Sequence, residues 1–295
     1  MTASTTGKKH GPAAFVCGWP VAHSRSPLVH GYWLEKYSLA GSYEKIPVEP
    51  GTLAALFDRV RSGEFVGGNV TLPHKEDALK LADKADTAAT VIGAANTVWM
   101  EDGKLNVTNT DWFGFIANLD DRAPGWDRPE QGGCSALVVG AGGAARGVIH
   151  GLLERGAKSV RIANRTVAKA ETLAAAFNGD LAALPLEAAS AGAESFDLLV
   201  NTSSMGMHGQ PPMIGEVIDL IARLPDHAVV CDIVYTPLET PLLKAAKARG
   251  LRTVDGLGML LHQAVPGFEK WFGVRPQVTA ELRELVIADL PGESS

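Results

Sequence analysis

Chemistry-bearing residues cluster in a few short runs of this chain. His23-Ser24-Arg25-Ser26-Pro27, Asn69-Val70-Thr71-Leu72-Pro73-His74-Lys75, Gly93-Ala94-Ala95-Asn96-Thr97 and Asn109-Thr110-Asp111 each fall where a strand-like segment ends or a helix begins. Open α/β sheets bind their ligands at those places. Ser24 and Ser26 are spaced so that both hydroxyls can turn towards one carboxylate near a helix N-terminus, although simple capping would also account for Ser26. Lys75 stands just inside a helix, where a cation opposes the dipole, so a purely structural lysine is disfavoured. Asp111 opens a helix, and its ordinary role there would be an N-cap.

A second kind of chemistry is written at Gly140-Ala141-Gly142-Gly143-Ala144-Ala145, which follows the strand-like SALVV and opens the helix-like AARGVIHGLLERG. The run fits G-x-G-x-x-G/A. Its first glycine permits a tight turn, its second lets the backbone approach a pyrophosphate, and its small third residue packs helix on strand. Backbone N–H groups and the helix dipole then face the anion. A bare βα turn would also ask for glycine, but the flanking strand and helix favour a dinucleotide site.

The following strand discriminates between dinucleotides. An NAD site usually carries an acidic residue roughly 20 positions further on. Here VRIA runs into Asn164-Arg165-Thr166 with no acid. Arg165 can grip a 2′-phosphate with two parallel hydrogen bonds, Thr166 offers a hydroxyl, and Lys169 adds a second positive charge. Thr166 also suits the N-cap of the helix after it, and the two roles are compatible. The expected cofactor is NADP.

These runs must be held by alternating strands and helices. Strands are expected at 14–21, 42–48 and 65–72, with helices at 26–40, 52–61 and 76–82. A hairpin is expected across Glu101-Asp102-Gly103, and a helix at 112–119. Residues 120–133 (DDRAPGWDRPEQGG) lack periodicity and read as a linker. Beyond them the βα alternation restarts, with strands at 135–139, 160–163, 196–201, 228–234 and 251–254. Several of these are apolar on both faces, as a helix-covered parallel sheet requires. The end, 258–290, reads as helix broken at Pro266-Gly267. The fold class expected is α/β with two domains.

At 295 residues the chain has room for two domains, and 46% hydrophobic against 20% charged residues excludes a disordered chain. A net charge of −6 leaves no basic field for a nucleic acid backbone. Cys17, Cys134 and Cys231 are far apart and form no C-x-x-C pair, which suits a reducing compartment. The histidines show no metal-ligand spacing, so no metal is expected, and His74 reads as a pocket wall or a solvated residue. No segment reaches the roughly 20 apolar residues a membrane span needs. Residues 1–13 have no apolar signal region and read as a frayed tail, which makes the cytoplasm the expected location.

Taken together, HSRSP, NVTLPHK, IGAANT, NTDWFG, GAGGAARG, ANRT, NTSSMGM, DIVYTPLETPLL and DGLGMLLHQA resemble the shikimate dehydrogenase family, in the family's order and over nearly the whole chain. The resemblance implies a discontinuous α/β substrate domain, 1–120 plus 262–295, and a Rossmann-like NADP-binding domain, 121–261, with a cleft between them. It implies reversible NADPH-dependent reduction of 3-dehydroshikimate to shikimate. Carried over, Ser24 and Ser26 would hold the substrate carboxylate. Thr71, Asn96, Asp111 and Gln263 would read its ring hydroxyls, with Tyr235 close by. Lys75 would be the catalytic acid/base, paired with Asp111. Gly140, Ala141, Gly142, Gly143, Ala144, Ala145, Arg146, Asn164, Arg165, Thr166 and Lys169 would bind NADP. Thr202, Ile233, Gly256 and Met259 would line the nicotinamide side. The chain departs from the family at Thr87, where an acidic residue is common, and at Lys169, where arginine is common.

Rival readings are a quinate/shikimate dehydrogenase using NAD, a non-catalytic shikimate-sensing domain, and a folate-linked dehydrogenase of similar architecture. Asn164-Arg165 and the serine pair speak against the first and third. Retention of Lys75 and Asp111 speaks against the second. The partners expected are a small-molecule substrate and neither nucleic acid nor membrane; a homodimer is compatible with the sequence, which does not itself reveal the oligomeric state.

Overall fold

The computed structural model describes residues 11–292, the side chain of Pro129 excepted. The chain falls into two compact units, residues up to Thr108 with Ala264–Gln277, and Asn109–Gln263 with the segment from Val278 onwards.

The first unit runs β1 (Ala13–Gly18), α1 (Ser26–Lys36), β2 (Ser42–Pro47), α2 (Leu53–Arg61), β3 (Gly67–Val70), α3 (Lys75–Leu81), β4 (Lys84–Ala85), α4 (Thr87–Ile92), β5 (Thr97–Glu101) and β6 (Lys104–Thr108). Its six strands are ordered β2-β1-β3-β5-β6-β4. β1 pairs in parallel with β2 and β3, whereas β5 is antiparallel to both β3 and β6, so the sheet is mixed. β1 is buried from Ala14 onwards, while the edge strand β2 exposes Glu44 and Lys45, as burial of the sheet centre requires. Phe15, Phe57, Val98 and Leu105 are among the residues of its core. The return segment 264–277 closes this unit. Trp271 donates its indole N–H to the carbonyl of Val98 at 3.0 Å. Gly67, at φ +151°, makes room for it, because a Cβ there would come within 2.4 Å of the indole nitrogen.

The second unit runs α5 (Asp111–Arg122), β7 (Ser135–Val139), α6 (Gly143–Glu154), β8 (Ser159–Asn164), α7 (Val167–Ala175), β9 (Leu181–Pro185), β10 (Leu198–Asn201), α8 (Gly215–Leu220), β11 (Val229–Asp232), α9 (Pro241–Ala248), β12 (Arg252–Val254), α10 (Leu257–Phe272) and α11 (Ala280–Ala288), the last residues of α10 belonging to the first unit. All six strands are parallel, in the order β12-β11-β10-β7-β8-β9. The chain winds from β7 to β9 on one side, then restarts at β10 on the other flank of β7. That reversal is the topological switch point of a Rossmann-like sheet.

Two expectations change. Pro266 does not break the terminal helix, which continues to Phe272 and stops before Gly273 at φ +74°. A proline inside a helix costs about 3 kcal/mol. Burial of Leu261, Ala264, Val265, Phe268 and Trp271, one continuous helical stripe, offsets it. Residues 120–133 are not a linker. Asp120–Arg122 finish α5, Trp126 is 1% exposed within the core of the second unit, and Arg155 bridges Asp120 and Asp127 at 2.6 and 2.5 Å. A Pro- and Gly-rich composition concealed that one aromatic anchor. α5 clusters with the second unit, where Gly151 of α6 admits Ile116 to within 2.9 Å of its missing Cβ, and α11 clusters there through the Arg283–Asp255 ion pair at 2.6 Å. Within the tail read as frayed, residues 1–10 lie outside the described residues.

Candidate active site

In the first unit the polar runs gather at one edge of the sheet. β1 and β3 are parallel neighbours, so the loops after Gly18 and Val70 leave side by side. The Trp19 N–H donates to the Leu72 carbonyl at 3.0 Å and the Thr71 N–H to the Cys17 carbonyl at 2.8 Å. β5 runs the other way, which brings its first residues to the same edge: Thr97 pairs with Asn69. Ser24, Ser26, Thr71, Lys75 and Asn96 are therefore assembled by three strand ends.

Ser24 and Ser26 are brought together. Their hydroxyls are 3.2 Å apart, Ser24 donating, and the Ser26 N–H donates to the Ser24 hydroxyl at 3.3 Å. Arg25, not a serine, is the N-cap of α1, and no side chain caps that helix. Lys75 is the first residue of α3 and is half-buried. Its carbonyl accepts from the Ala95 N–H at 2.8 Å, which ties the start of α3 to the residue before Asn96. His74 is fully buried and bonded through Nε2 to the Val48 carbonyl at 2.7 Å. It is not solvated, as one expectation had it, but anchors the turn that delivers Lys75.

Behind these residues lies a polar chain that the sequence did not disclose. Tyr43 on β2 donates to Asn69 Oδ1 at 2.6 Å. Asn69 Nδ2 donates to the Asn96 carbonyl and to Thr97 Oγ1, both at 3.2 Å, and Thr97 Oγ1 donates to Asn96 Oδ1 at 3.0 Å. Asn96 and Thr97 are buried. Partners 26 to 28 positions apart leave no periodic signal, although a buried-looking asparagine at a strand end would have been worth noting.

In the second unit, Asp111 is the first residue of α5. Thr110 occupies the N-cap without a side-chain capping bond, and the Asp111 N–H is held by Asn109 Oδ1 at 3.0 Å. Asp111 is thus not the cap that its position suggested. One turn on, Gly114 lies against α10, where a Cβ would meet the Met259 carbonyl at 2.5 Å and Gln263 Cβ at 2.7 Å. On its other side, Gly147 of α6 lies so that its Cβ would be 3.6 Å from Asp111 Cβ. Asp111, Gln263, Met259 and the glycine-rich helix therefore converge.

The nucleotide-site candidates all follow strand ends of the parallel sheet. Gly140 comes directly after β7 at φ +106°, where an L side chain is strained, and a Cβ would approach Thr202 Oγ1 to 2.8 Å. Thr202 follows β10 and donates both its N–H and its hydroxyl to the Val139 carbonyl, at 2.8 and 2.9 Å. The two residues mark the switch point. Gly142 is the N-cap of α6, and a Cβ on Gly142 or Gly143 would meet nothing within 4 Å, leaving the backbone N–H groups open to an anion. After β8, Asn164 donates to the Thr166 carbonyl at 2.9 Å, shaping the turn that exposes Arg165, Thr166 and Lys169. Neither Arg165 nor Lys169 is in an ion pair among the described residues. Ile233 follows β11, with half-buried Tyr235 two residues on. Gly256 follows β12 so closely beneath β11 that a Cβ would come within 2.1 Å of the Ile233 carbonyl.

One buried carboxylate supports this edge. Asp232 accepts from Asn201 Nδ2 at 2.9 Å, the Val234 N–H at 3.0 Å and the Thr240 hydroxyl at 2.7 Å. Burial pushes its carboxyl up to about 6 against the opposing pull of those donors. Among the described residues no group of His, Cys, Asp and Glu could hold a metal ion, and no helix is long and apolar enough to cross a membrane.

Comparison with known proteins follows this geometry. The family model described as shikimate dehydrogenase substrate binding domain matches residues 16–98, the shikimate / quinate 5-dehydrogenase model residues 128–233, and the shikimate 5′-dehydrogenase C-terminal domain model residues 256–284. The chain is 55% identical over 276 residues to a shikimate dehydrogenase (NADP(+)) of Azorhizobium caulinodans, covering 93% of this chain and 95% of that one. Among solved structures it resembles the shikimate 5-dehydrogenase of Thermus thermophilus in complex with NADP(H) and shikimate (36% identity, TM-score 0.79, 95% of this chain and 100% of that one). It also resembles the quinate dehydrogenase of Corynebacterium glutamicum in complex with NAD (29% identity, TM-score 0.83, 94% and 99%). With a mixed sheet in one unit, an all-parallel Rossmann-like sheet in the other and a curated relative this similar over nearly its full length, the chain belongs to the shikimate dehydrogenase family.

Proposed function

We propose that the protein is an NADP-dependent shikimate dehydrogenase, reducing 3-dehydroshikimate to shikimate reversibly on the route to chorismate and the aromatic amino acids. The observation that carries the site assignment is the bond from the Ala95 N–H to the Lys75 carbonyl at 2.8 Å, which ties the backbone of Lys75 to the residue before Asn96 at the strand ends that also carry Ser24, Ser26 and Thr71.

The residues present fit the cofactor. An open glycine turn at the switch point suits a pyrophosphate, and exposed Arg165, Thr166 and Lys169 at the end of β8, with no acid among Asn164-Arg165-Thr166, suit a 2′-phosphate. NADPH, once bound, supplies the hydride that the carbonyl carbon accepts. The protein supplies position and the proton. Ser24 and Ser26 donate to the substrate carboxylate. Thr71, Asn96, Asp111 and Gln263 read the ring hydroxyls, and Tyr235 is assigned to the same substrate. Lys75 gives its proton to the carbonyl oxygen as that atom becomes a hydroxyl and takes one back in the oxidative direction, with Asp111 as the second catalytic group. Paired polar groups discriminate strongly, because an analogue lacking a hydroxyl strands its partner. On this reading the first unit is the substrate domain and the second binds NADP. Buried free thiols at Cys17, Cys134 and Cys231 suit the cytoplasm as the location.

The test is a crossed assay of the purified protein with shikimate or quinate and NADP+ or NAD+, following formation of the reduced nicotinamide. Turnover is expected with shikimate and NADP+. A preference for quinate with NAD+ would overturn the assignment in favour of a quinate dehydrogenase, and absence of turnover with every pair would favour a sensing domain.

A further inference from the structure

The polar chain behind the serine pair has a direction, and that direction can be read atom by atom. The Asn96 carbonyl can only accept, so the Asn69 atom facing it must be Nδ2, and Oδ1 must face Tyr43. The phenol therefore spends its one proton on Asn69. Thr97 Oγ1 accepts from Asn69 Nδ2 and gives its own proton to Asn96 Oδ1. The Asn96 carboxamide oxygen is thereby turned towards Thr97 and its NH2 group to the opposite side. The phenol ring is itself clamped, stacked on His30 at a centroid distance of 4.0 Å and an interplanar angle of 16°.

We propose that Tyr43, Asn69 and Thr97 form a one-way hydrogen-bond relay that sets the orientation of the Asn96 carboxamide for a polyhydroxylated carboxylate substrate. The three are positioning residues for substrate recognition. This rests on the reading that Asn96 binds substrate. The relay runs from β2 through β3 to the start of β5, and the Tyr43 phenol, the Asn69 amide and the Thr97 hydroxyl each donate to a named acceptor. Buried networks of this kind specify geometry when fully satisfied. Removing one member lets the next amide or hydroxyl rotate, and the cost falls on binding of a ligand that requires a donor there.

The experiment is steady-state kinetics with shikimate and NADP+ on the wild type and on Tyr43→Phe, Thr97→Val, Thr97→Ser, Asn96→Ala and Tyr43→Phe/Asn96→Ala, each with its thermal midpoint. Tyr43→Phe and Thr97→Val are expected to raise KM for shikimate about three- to tenfold, the equivalent of one neutral hydrogen bond. The kcat is expected to stay within about threefold and KM for NADP+ to be unchanged, the pattern of lost uniform binding. Thr97→Ser, which keeps the hydroxyl, restores the wild-type KM, and the double variant is no worse for shikimate than Asn96→Ala alone. If Asn96→Ala raises KM for shikimate while Tyr43→Phe and Thr97→Val leave it unchanged, the relay is overturned and the substrate site stands. If Asn96→Ala itself leaves KM unchanged, the substrate-site reading fails and the relay with it. Should Thr97→Val not fold, Tyr43→Phe decides alone: a wild-type KM for shikimate overturns the relay.

Discussion

Asn201 donates its carboxamide N–H to the carboxylate of Asp232 over 2.9 Å, and both side chains are fully buried. The pair joins the ends of β10 and β11. Asn201 Oδ1 accepts from the N–H and the hydroxyl of Ser203, while Asp232 accepts from Val234 and Thr240, so one carboxylate organises the loops after both strands.

Burial raises the Asp232 carboxyl from 3.8 to about 6, so the native state holds a proton across that window that the unfolded chain releases. The contribution to stability is fully present below pH 3.8 and is lost as pH rises through 6, on the order of 3 kcal/mol in all. Asp232→Asn mimics the protonated form, keeping an acceptor for Asn201 and Val234 and a donor for Thr240. Urea midpoints measured from pH 4 to 8 are expected to fall less steeply with rising pH in this variant than in the wild type. An unchanged pH slope would falsify the assignment.

His30 works with the opposite sign. Burial lowers its imidazole from 6.5 to about 3 against a weaker opposing pull from Asn69, and neither ring nitrogen makes a well-formed hydrogen bond. The unfolded chain takes up a proton below pH 6.5 that the native state refuses, so this stability is present above 6.5 and lost as pH falls towards 3. At pH 5 the loss is about 2 kcal/mol. His30→Phe, which keeps a ring against Tyr43 and Phe268, is expected to lose less stability than the wild type between pH 7.5 and pH 5. Equal losses in a denaturation series would remove His30 from the account.

Lys75 is the proposed proton donor. Lys75→Ala is expected to lower kcat about 10²- to 10⁴-fold, the usual contribution of a general acid, while NADP+ binding measured by fluorescence titration is unchanged. Near-normal turnover would reassign the role.

Arg165 is expected to carry cofactor choice. Arg165→Asp replaces a guanidinium able to pair with a 2′-phosphate by a carboxylate that repels it. KM for NADP+ should rise about 10-fold or more, from loss of a charged hydrogen bond, while KM for NAD+ rises less or falls. A uniform increase for both cofactors would mean that the substitution has only disturbed the turn held by Asn164.

The glycine turn was legible because its requirements are local: an apolar strand, a tight turn at Gly140 and a helix directly after it. The parallel strands were legible because they are apolar on both faces. Pro266 misled because its effect is decided by burial on either side of it. Residues 120–133 misled because one buried tryptophan outweighs two prolines and three glycines in setting their conformation. The short α4 had a readable signal that passed unused: Asp86 caps it by accepting from the Ala89 N–H, and Gly93 ends it at φ +75°. Tyr43 carries no pattern at all, and Asn69 and Asp232 stand in quoted motifs that do not disclose their bonding. Their meaning comes from partners brought near by sheet register, which a linear reading cannot supply.

Trp271 reaches back to Val98 across 173 positions of sequence, and Phe268 reaches back to His30 and Trp33. During synthesis on the ribosome, the first 108 residues emerge long before those rings exist. The sheet of the first unit must therefore wait with its aromatic seat at Gly67 vacant until residues 264–277 have been made, and a nascent chain stalled before Ala264 has no means of completing it.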